Sequence, residues 1–180
     1  VLVGALAAGF FYFDVPSWQR LDAERLLSLA QTGGIYDKDG AFVTKLVGSE
    51  NRTLVALETL PEHVVNAFLA AEDLRFYKHP GFDLVRIGGA VVSNVRSGGF
   101  AEGASTITQQ LVKLSHLSSQ KTIARKLEEI WLSLQLEHRF TKQEILEMYL
   151  NYIYFGDGAY GVQAAAQTVY GVDARALTAA

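Results

Sequence analysis

After Pro61 the apolar residues recur every three or four positions, and this helical spacing constrains the fold more than any other feature of the chain. Two capping boxes, Thr106 with Gln109 and Thr141 with Glu144, mark the starts of two helices. The full pattern predicts helices at about 61–71, after 106, at 123–138, at 142–151 and at 162–170. We therefore expect a mainly α fold.

A short β-hairpin is predicted before these helices. Residues 35–43 alternate in the manner of two strands, and Asp39-Gly40 is a typical dipeptide of a hairpin turn. The expected fold is therefore mainly α with a short N-terminal β-hairpin.

The composition limits the partners and sites that the chain can have. Its 180 residues are 49% hydrophobic and 19% charged, which suits a globular domain with a sizeable core. A formal charge of −3 does not favour nucleic acid as a partner, because phosphate binding needs a basic surface. The chain has no cysteine, and its four histidines share no ligand spacing on one helix face, so a structural zinc site is not expected.

The N-terminal residues differ in character from the rest. Residues 1–13 are uncharged and apolar, but the run is shorter than the roughly 20 residues that a spanning helix needs. We interpret it as the outer end of a membrane anchor that continues upstream. A core helix or an amphipathic interfacial segment would have the same composition. Residues 14–34 are more polar and are predicted to form a connector.

Glu72 continues an apolar stripe. Val65, Phe68 and Leu69 precede it by helical spacings, so its side chain falls on the same face. A carboxylate there costs several kcal/mol unless it is paired, protonated or open to a wet cleft. It could be a buried acid held by a cation, or a catalytic acid or base in a partly apolar pocket. The stripe leaves both explanations open.

A run of polar residues follows a glycine-containing loop. Its side chains could cap a helix, which is the common role of such a run, or bind an anionic or sugar ligand. The residues concerned are Ser105, Thr106, Thr108, Gln109 and Gln110, with Lys113 one turn later.

A third group combines cations with a carboxylate. Lys121, Arg125 and Glu129 recur every four residues and share one helical face, with Lys126 beside them. We expect this face to point away from the core. The predicted core side of the helix carries Ile123, Leu127, Ile130, Trp131 and Leu134. A solvated ladder of ion pairs would explain the charges, and so would a site that handles phosphate.

These segments occur in the order and spacing of one family. The chain resembles glycosyltransferase family 51, the peptidoglycan polymerase domain of class A penicillin-binding proteins and of monofunctional transglycosylases. The resemblance covers residues 35–180. Its motifs are Glu-Asp-x-x-Phe-x-x-His-x-Gly at 72–81, Gly-x-Ser-Thr-Ile-Thr-Gln-Gln at 103–110, Arg-Lys-x-x-Glu at 125–129, Lys-x-x-Ile-Leu-Glu-x-Tyr-Leu-Asn at 142–151 and Gly-Ala-Tyr-Gly at 158–161.

The resemblance implies a lysozyme-like, two-lobed helical domain at 35–180 that is C-terminally incomplete. It also implies an activity, the polymerisation of lipid II into β-1,4 glycan strands with inversion and release of undecaprenyl pyrophosphate. The expected location is the outer side of the bacterial cytoplasmic membrane, reached through a single-pass anchor. The expected partners are lipid II, the growing lipid-linked strand and the membrane, with a transpeptidase domain left open for the full chain.

The resemblance also assigns roles to residues. Glu72 would be the general base on the acceptor hydroxyl, and Glu129 would assist the leaving group, with Mg²⁺ or Mn²⁺ as an optional bridge to the pyrophosphate. No organic cofactor is expected. Residues that would bind substrate or shape its site are Asp73, Phe76, His79, Ser105, Thr106, Gln109, Gln110, Lys113, Lys121, Arg125 and Lys126. For Asp73 and His79 a purely structural role is the alternative.

One position departs from the family pattern. Many relatives have an arginine where this chain has Lys121, which keeps the charge but loses the bidentate fork for phosphate.

Two other functions compete with glycan polymerisation. A lysozyme-like hydrolase would cut glycan with a single glutamate, and an inactive module would only bind. The cationic motif argues against a hydrolase, because cleavage involves no pyrophosphate. The presence of both acids argues against an inactive module.

Overall fold

The computed structural model describes residues 20–28, 33–46, 51–97, 105–117 and 122–179. Within these ranges the helices are α1 Ala23–Leu27, α2 Glu62–Glu72, α3 Leu84–Ser97, α4 Ile107–His116, α5 Ile123–Arg139, α6 Lys142–Tyr152 and α7 Val162–Tyr170. The strands are β1 Gly33–Tyr36, β2 Phe42–Leu46, β3 Asn51–Arg52 and β4 Ala159–Tyr160. The predicted mainly α, lysozyme-like class with a short N-terminal hairpin is therefore confirmed, whereas the division into two lobes stays a prediction.

Helix α4 is the central helix of the core and packs against both α5 and α6. Ile107, Leu111 and Val112 are completely buried along it. The neighbouring helices contribute to the same core the side chains of Leu132, Leu136, Ile145, Leu146 and Leu150. Burial of one such side chain stabilises the fold by about 1.5–3 kcal/mol, so α4 is anchored from two sides.

Both predicted capping boxes are present. Thr106 accepts a hydrogen bond from the backbone of Gln109, whose side chain accepts one from the backbone of Thr106. Thr141 and Glu144 make the same reciprocal pair at the start of α6. These contacts satisfy backbone N–H groups that a helix start would otherwise leave unpaired, and they fix where each helix begins.

The hairpin forms where it was predicted. Strands β1 and β2 pair antiparallel, with Ile35 opposite Thr44, and Asp37 accepts hydrogen bonds from the backbone of Asp39 and Ala41 in the turn. Gly40 has a φ of +82°, which this turn requires and which glycine adopts without strain. Strand β1 begins at Gly33, so it includes the last two residues of the predicted connector.

A second, parallel pairing was not predicted. Asn51 pairs with Ala159 and Arg52 with Tyr160, which joins the segment before α2 to the turn after α6. Arg52 is buried, and its guanidinium lies 5.0 Å from the ring centre of Tyr152. This contact holds the N-terminal side of the helical region against its C-terminal side.

The predicted core face of α5 is wrong in phase. Ile123 is 80% exposed, and the buried residues of the helix are Glu129, Leu132, Ser133 and Leu136. The spacing of these four is helical, but two of them are polar, so a search for apolar residues alone misses the stripe. The face that carries Glu129, expected to point to solvent, therefore points inward.

Some predictions lie outside the described residues. These include the apolar run 1–13, the whole of the loop at 98–104 and Lys121. Among the helices in the described ranges, none combines the length and the apolar character that crossing a membrane requires.

Candidate active site

Glu72 is the last residue of α2 and is half-buried. The preceding turns contribute Val65, Phe68 and Leu69, which pack against the core as the stripe predicted. The carboxylate of Glu72 accepts a hydrogen bond of 2.9 Å from Nε2 of Gln110. Arg86, on α3, donates to the backbone carbonyl of the same residue. Glu72 is thus held at a helix end by neutral and cationic donors while its side chain remains partly open.

Gln110 links two helices to this carboxylate. Its Nε2 faces Glu72, and its Oε1 accepts a hydrogen bond of 3.2 Å from the hydroxyl of Tyr149 on α6. Burial, followed by the negative charges of Glu72 and Asp73, raises the pKa of the Tyr149 phenol above its ordinary value. A phenol is protonated at neutral pH even without this shift of its pKa, so the hydroxyl can act as a donor.

Glu129 has different surroundings. Its residue is 1% exposed, in the middle of α5. Its Oε2 accepts a hydrogen bond of 2.8 Å from Arg125, and its Oε1 accepts one from Lys126. Removal of one partner from a buried pair is costly because it leaves an uncompensated charge. Glu129 is therefore a buried acid paired with cations, the arrangement that was one of the two explanations for Glu72. Its burial excludes a set of solvent-exposed ion pairs as the explanation for Glu129.

The start of α4 connects the two acids. Gln110 contacts Glu72, while the hydroxyl of Ser105 accepts a hydrogen bond of 3.0 Å from Lys126, which also binds Glu129. Lys126 keeps 40% of its side chain exposed, so a ligand can approach this side chain. The structure therefore brings Glu72, Gln110, Ser105, Lys126 and Glu129 together around one helix start.

Asp73 and His79 form a buried pair that supports this helix start. Nε2 of His79 lies 3.0 Å from the carboxylate of Asp73, which also accepts a hydrogen bond of 3.0 Å from the backbone N–H of Ile107. Nδ1 of His79 accepts from the backbone N–H of Gly81. These contacts position the segment after α2 against α4. Phe76 is 1% exposed, packs beside His79, and belongs to the core.

Thr106 and Gln109 are buried and occupied by the capping box. Thr106 also donates a hydrogen bond of 2.6 Å to the carbonyl of Gly81. Their contact with substrate stays a prediction, and their described contacts are structural. Lys113 is exposed on the same helix.

Gly81 lies at a close approach of two segments. Its φ is +98°, and a Cβ there would lie 3.0 Å from the carbonyl oxygen of Ser133. Next to it, Glu137 accepts hydrogen bonds from Thr108 and Lys142, which ties α5 to α4 and α6. This clamp was not predicted, because its members are separated in sequence.

Sequence reasoning also missed Arg86 and the role of Tyr149. Tyr149 lies within the motif at 142–151, and its burial gives it a packing role. The available signal was a residue type: a buried phenol needs a hydrogen-bond partner. The identity of that partner depends on how α4 and α6 pack.

The described residues do not fit a divalent cation bound by the protein alone. No group of three or more His, Asp or Glu side chains within those ranges could hold a metal ion. Both carboxylate oxygens of Glu129 already accept from cations. A bridge of Mg²⁺ or Mn²⁺ between Glu129 and a pyrophosphate therefore stays a prediction.

Comparison with known proteins agrees with the sequence motifs. A family model described as Transglycosylase matches residues 39–180. Penicillin-binding protein 1A/1B of Bacillus subtilis (strain 168) is 51% identical over 172 residues, 96% of this chain and 18% of that protein. Penicillin-binding protein 1A of Streptococcus oralis is 42% identical over 176 residues, 96% of this chain and 27% of that protein. Penicillin-binding protein 1A of Aquifex aeolicus (strain VF5) is 42% identical over 173 residues, 94% of this chain and 24% of that protein.

The chain thus spans about a fifth to a quarter of the length of these relatives.

Proposed function

The chain belongs to the transglycosylase family, and from this premise we propose that it is a peptidoglycan glycosyltransferase that polymerises lipid II. The observation that carries the proposal is the contrast between the two acids. Glu72 is partly open and accepts from an amide, whereas Glu129 is buried and neutralised by two cations. Glu72 is suited to accept a proton, and Glu129 is suited to hold Arg125 and Lys126 in position.

The reaction needs those two kinds of help. A sugar hydroxyl is a weak nucleophile at neutral pH, so a general base must take its proton as it attacks. Pyrophosphate is already a good leaving group, and positive charge beside it stabilises the developing anion. One displacement converts the α-linked donor into a β-linked product, so no covalent enzyme intermediate is needed.

In the proposed mechanism, Glu72 accepts the proton of the acceptor's 4-hydroxyl. The new bond forms between that oxygen and the anomeric carbon of the donor, while the bond from this carbon to the pyrophosphate breaks. Lys126, which is partly exposed, and Arg125 would stabilise the departing undecaprenyl pyrophosphate. Ser105 and Gln110, at the start of α4, would contact the donor. Glu129 holds the two cations in place before substrate arrives.

The decisive test is the Glu72→Gln variant in the full-length protein, assayed with lipid II. The substitution keeps the shape of the side chain but removes the base, and we expect the polymerisation rate to fall by about 100-fold or more. Glu62→Gln is the matched control, because Glu62 is exposed at the other end of the same helix. Polymerisation by Glu72→Gln at the wild-type rate would contradict the proposal.

The product also distinguishes the competing functions. A polymerase makes longer strands from lipid II, whereas a hydrolase or lytic transglycosylase releases shorter fragments from finished glycan. A binding module would retain lipid II without turnover. The cations Arg125 and Lys126 favour the polymerase, because only that reaction involves a pyrophosphate.

The proposal extends to location and to the rest of the chain. A lipid-tailed substrate stays in the bilayer, so we propose that the run 1–13 tethers the domain at the outer side of the bacterial cytoplasmic membrane and raises its effective concentration there. We also propose a transpeptidase domain in the full chain, since the relatives are named for binding penicillin and are much longer. Labelling of the full-length protein with a penicillin would test for the transpeptidase domain. Membrane flotation of the protein with and without residues 1–13 would test the tether.

A further inference from the structure

We infer that Tyr149 is a positioning residue for Glu72 and acts through the side-chain amide of Gln110. The inference rests on the proposed function, since it concerns how the general base is held.

The direction of the hydrogen-bonded chain follows from its chemistry. A carboxylate in its base form only accepts, so the Gln110 atom that faces Glu72 at 2.9 Å must be the amide nitrogen. The carbonyl oxygen of the amide then faces Tyr149, and the phenol must donate to it across 3.2 Å. The reversed amide would set a carbonyl oxygen against the carboxylate and leave the phenol facing an NH₂ group. One orientation satisfies both ends.

Tyr149 is suited to enforce that orientation. Its residue is 2% exposed in the last turn of α6, so packing restricts the ring. Its hydroxyl is a donor at neutral pH, and burial, followed by the charges of Glu72 and Asp73, raises the pKa of the phenol further. The phenol thus selects one orientation of the Gln110 amide, with the nitrogen toward Glu72.

The Gln110 amide positions the carboxylate of Glu72, which is at the end of a helix and half-buried. The fixed amide holds its Oε2, and we assign proton acceptance to Oε1. Without the phenol, the amide of Gln110 is free to rotate and the carboxylate loses its oriented donor. A misplaced base lowers the rate of the chemical step, because proton transfer needs hydrogen-bond reach to the acceptor hydroxyl.

A role in packing alone is the competing explanation, since Tyr149 belongs to the hydrophobic core. Tyr149→Phe separates the two roles, because it retains the ring and removes only the hydroxyl. If Tyr149 only packs, this change alters stability slightly and leaves turnover unchanged. If it positions Glu72, kcat falls, KM stays nearly constant and the effect depends on Gln110.

The experiment measures lipid II polymerisation by the full-length protein, with kcat and KM determined separately. We expect Tyr149→Phe to lower kcat about three- to ten-fold, the range that loss of one neutral hydrogen bond supports, with KM within about two-fold of wild type. Tyr152→Phe is the matched control on the same helix, because the described contact of its ring is with Arg52, and it should retain wild-type kcat.

A double-mutant cycle then asks whether Tyr149 acts through Gln110. In a Gln110→Ala background, Tyr149→Phe should have no further effect on kcat. Two results would overturn the inference: a wild-type kcat for Tyr149→Phe, or the same loss of kcat from Tyr149→Phe with and without the Gln110 side chain. The proposed function would still stand in either case, provided that the wild-type protein is active and Glu72→Gln is inactive. Absence of polymer from the wild-type protein would instead refute the function and the inference with it.

Discussion

The hydroxyl of Thr106 donates a hydrogen bond of 2.6 Å to the backbone carbonyl of Gly81. Thr106 is also the N-cap of α4, so a single side chain fixes the start of that helix and the loop that follows α2. The Asp73 carboxylate reinforces the junction, because it accepts from the backbone of Ile107 and contacts His79. The position of Glu72 relative to Gln110 therefore depends on how firmly this junction is held.

The junction predicts unequal costs for two similar substitutions. Thr106→Val removes a buried cap and the contact with Gly81, and should lower the free energy of unfolding by about 2–3 kcal/mol. Thr141→Val removes the cap of α6, which is exposed, and should cost about 1 kcal/mol. Urea denaturation followed by circular dichroism measures both. Equal costs would show that the contact with Gly81 adds nothing to stability.

Gly161 should tolerate no side chain. Its backbone, with φ +81° and ψ 159°, is in a region that glycine alone adopts readily, and an added Cβ would lie 2.8 Å from the carbonyl oxygen of Asn151. We expect Gly161→Ala to destabilise the fold by about 3 kcal/mol or more. Gly158→Ala is the control, because Gly158 also has positive φ but open space around its Cβ position, and it should cost about 1–2 kcal/mol. Thermal unfolding of the two variants would show the difference.

Asp83 should make stability depend on acidity. Burial alone would raise the pKa of its carboxyl, but hydrogen bonds from the backbone of Arg86 and Val85, and then the charge of Arg75 at 3.1 Å, outweigh burial and lower it. Because the folded-state pKa lies below the ordinary value of 3.8, this contribution is complete above that pH and is lost as pH falls through the folded-state pKa.

We therefore expect the urea midpoint of the wild type to fall as the solution is acidified below about pH 4, and to fall less in Asp83→Asn. Asparagine retains the cap at the start of α3 but carries no charge. Arg75→Gln should give an intermediate slope, because the two backbone donors remain. An Asp83→Asn variant with the acid dependence of the wild type would exclude Asp83 as its source.

Local signals in the sequence were enough to predict much of the fold. The capping boxes at Thr106 and Thr141 and the end of α7 at Tyr170 each depend on a few neighbouring residues, and all three are present. The turn of the hairpin follows from Asp39-Gly40 for the same reason. The motifs around Glu72 and Glu129 also identified residues that the structure brings to one region.

Features that depend on packing between distant segments were missed. The phase of α5 was wrong because its buried stripe includes Glu129 and Ser133, which an apolar pattern does not count. The parallel pairing of β3 with β4 involves two residues on each side, too few to leave a pattern. The contact between Tyr149 and Gln110 joins residues 39 positions apart and exists only because α4 packs on α6.

Lys126 should contribute to turnover more than to stability. The ammonium group of Lys126 bridges Ser105 and Glu129, and its side chain as a whole is partly exposed. Because Arg125 also binds Glu129, Lys126→Met should leave a folded protein whose buried carboxylate is still paired. Removal of a charge that stabilises the leaving pyrophosphate should lower kcat about 10- to 100-fold and weaken the dependence of inorganic pyrophosphate binding on salt. Lys38→Met, which breaks an exposed pair with Asp39 in the hairpin turn, is the control and should change neither quantity. Steady-state polymerisation would measure kcat, and titration with pyrophosphate at two salt concentrations would measure the salt dependence of binding. A wild-type kcat for Lys126→Met would show that the leaving group does not lie beside Lys126.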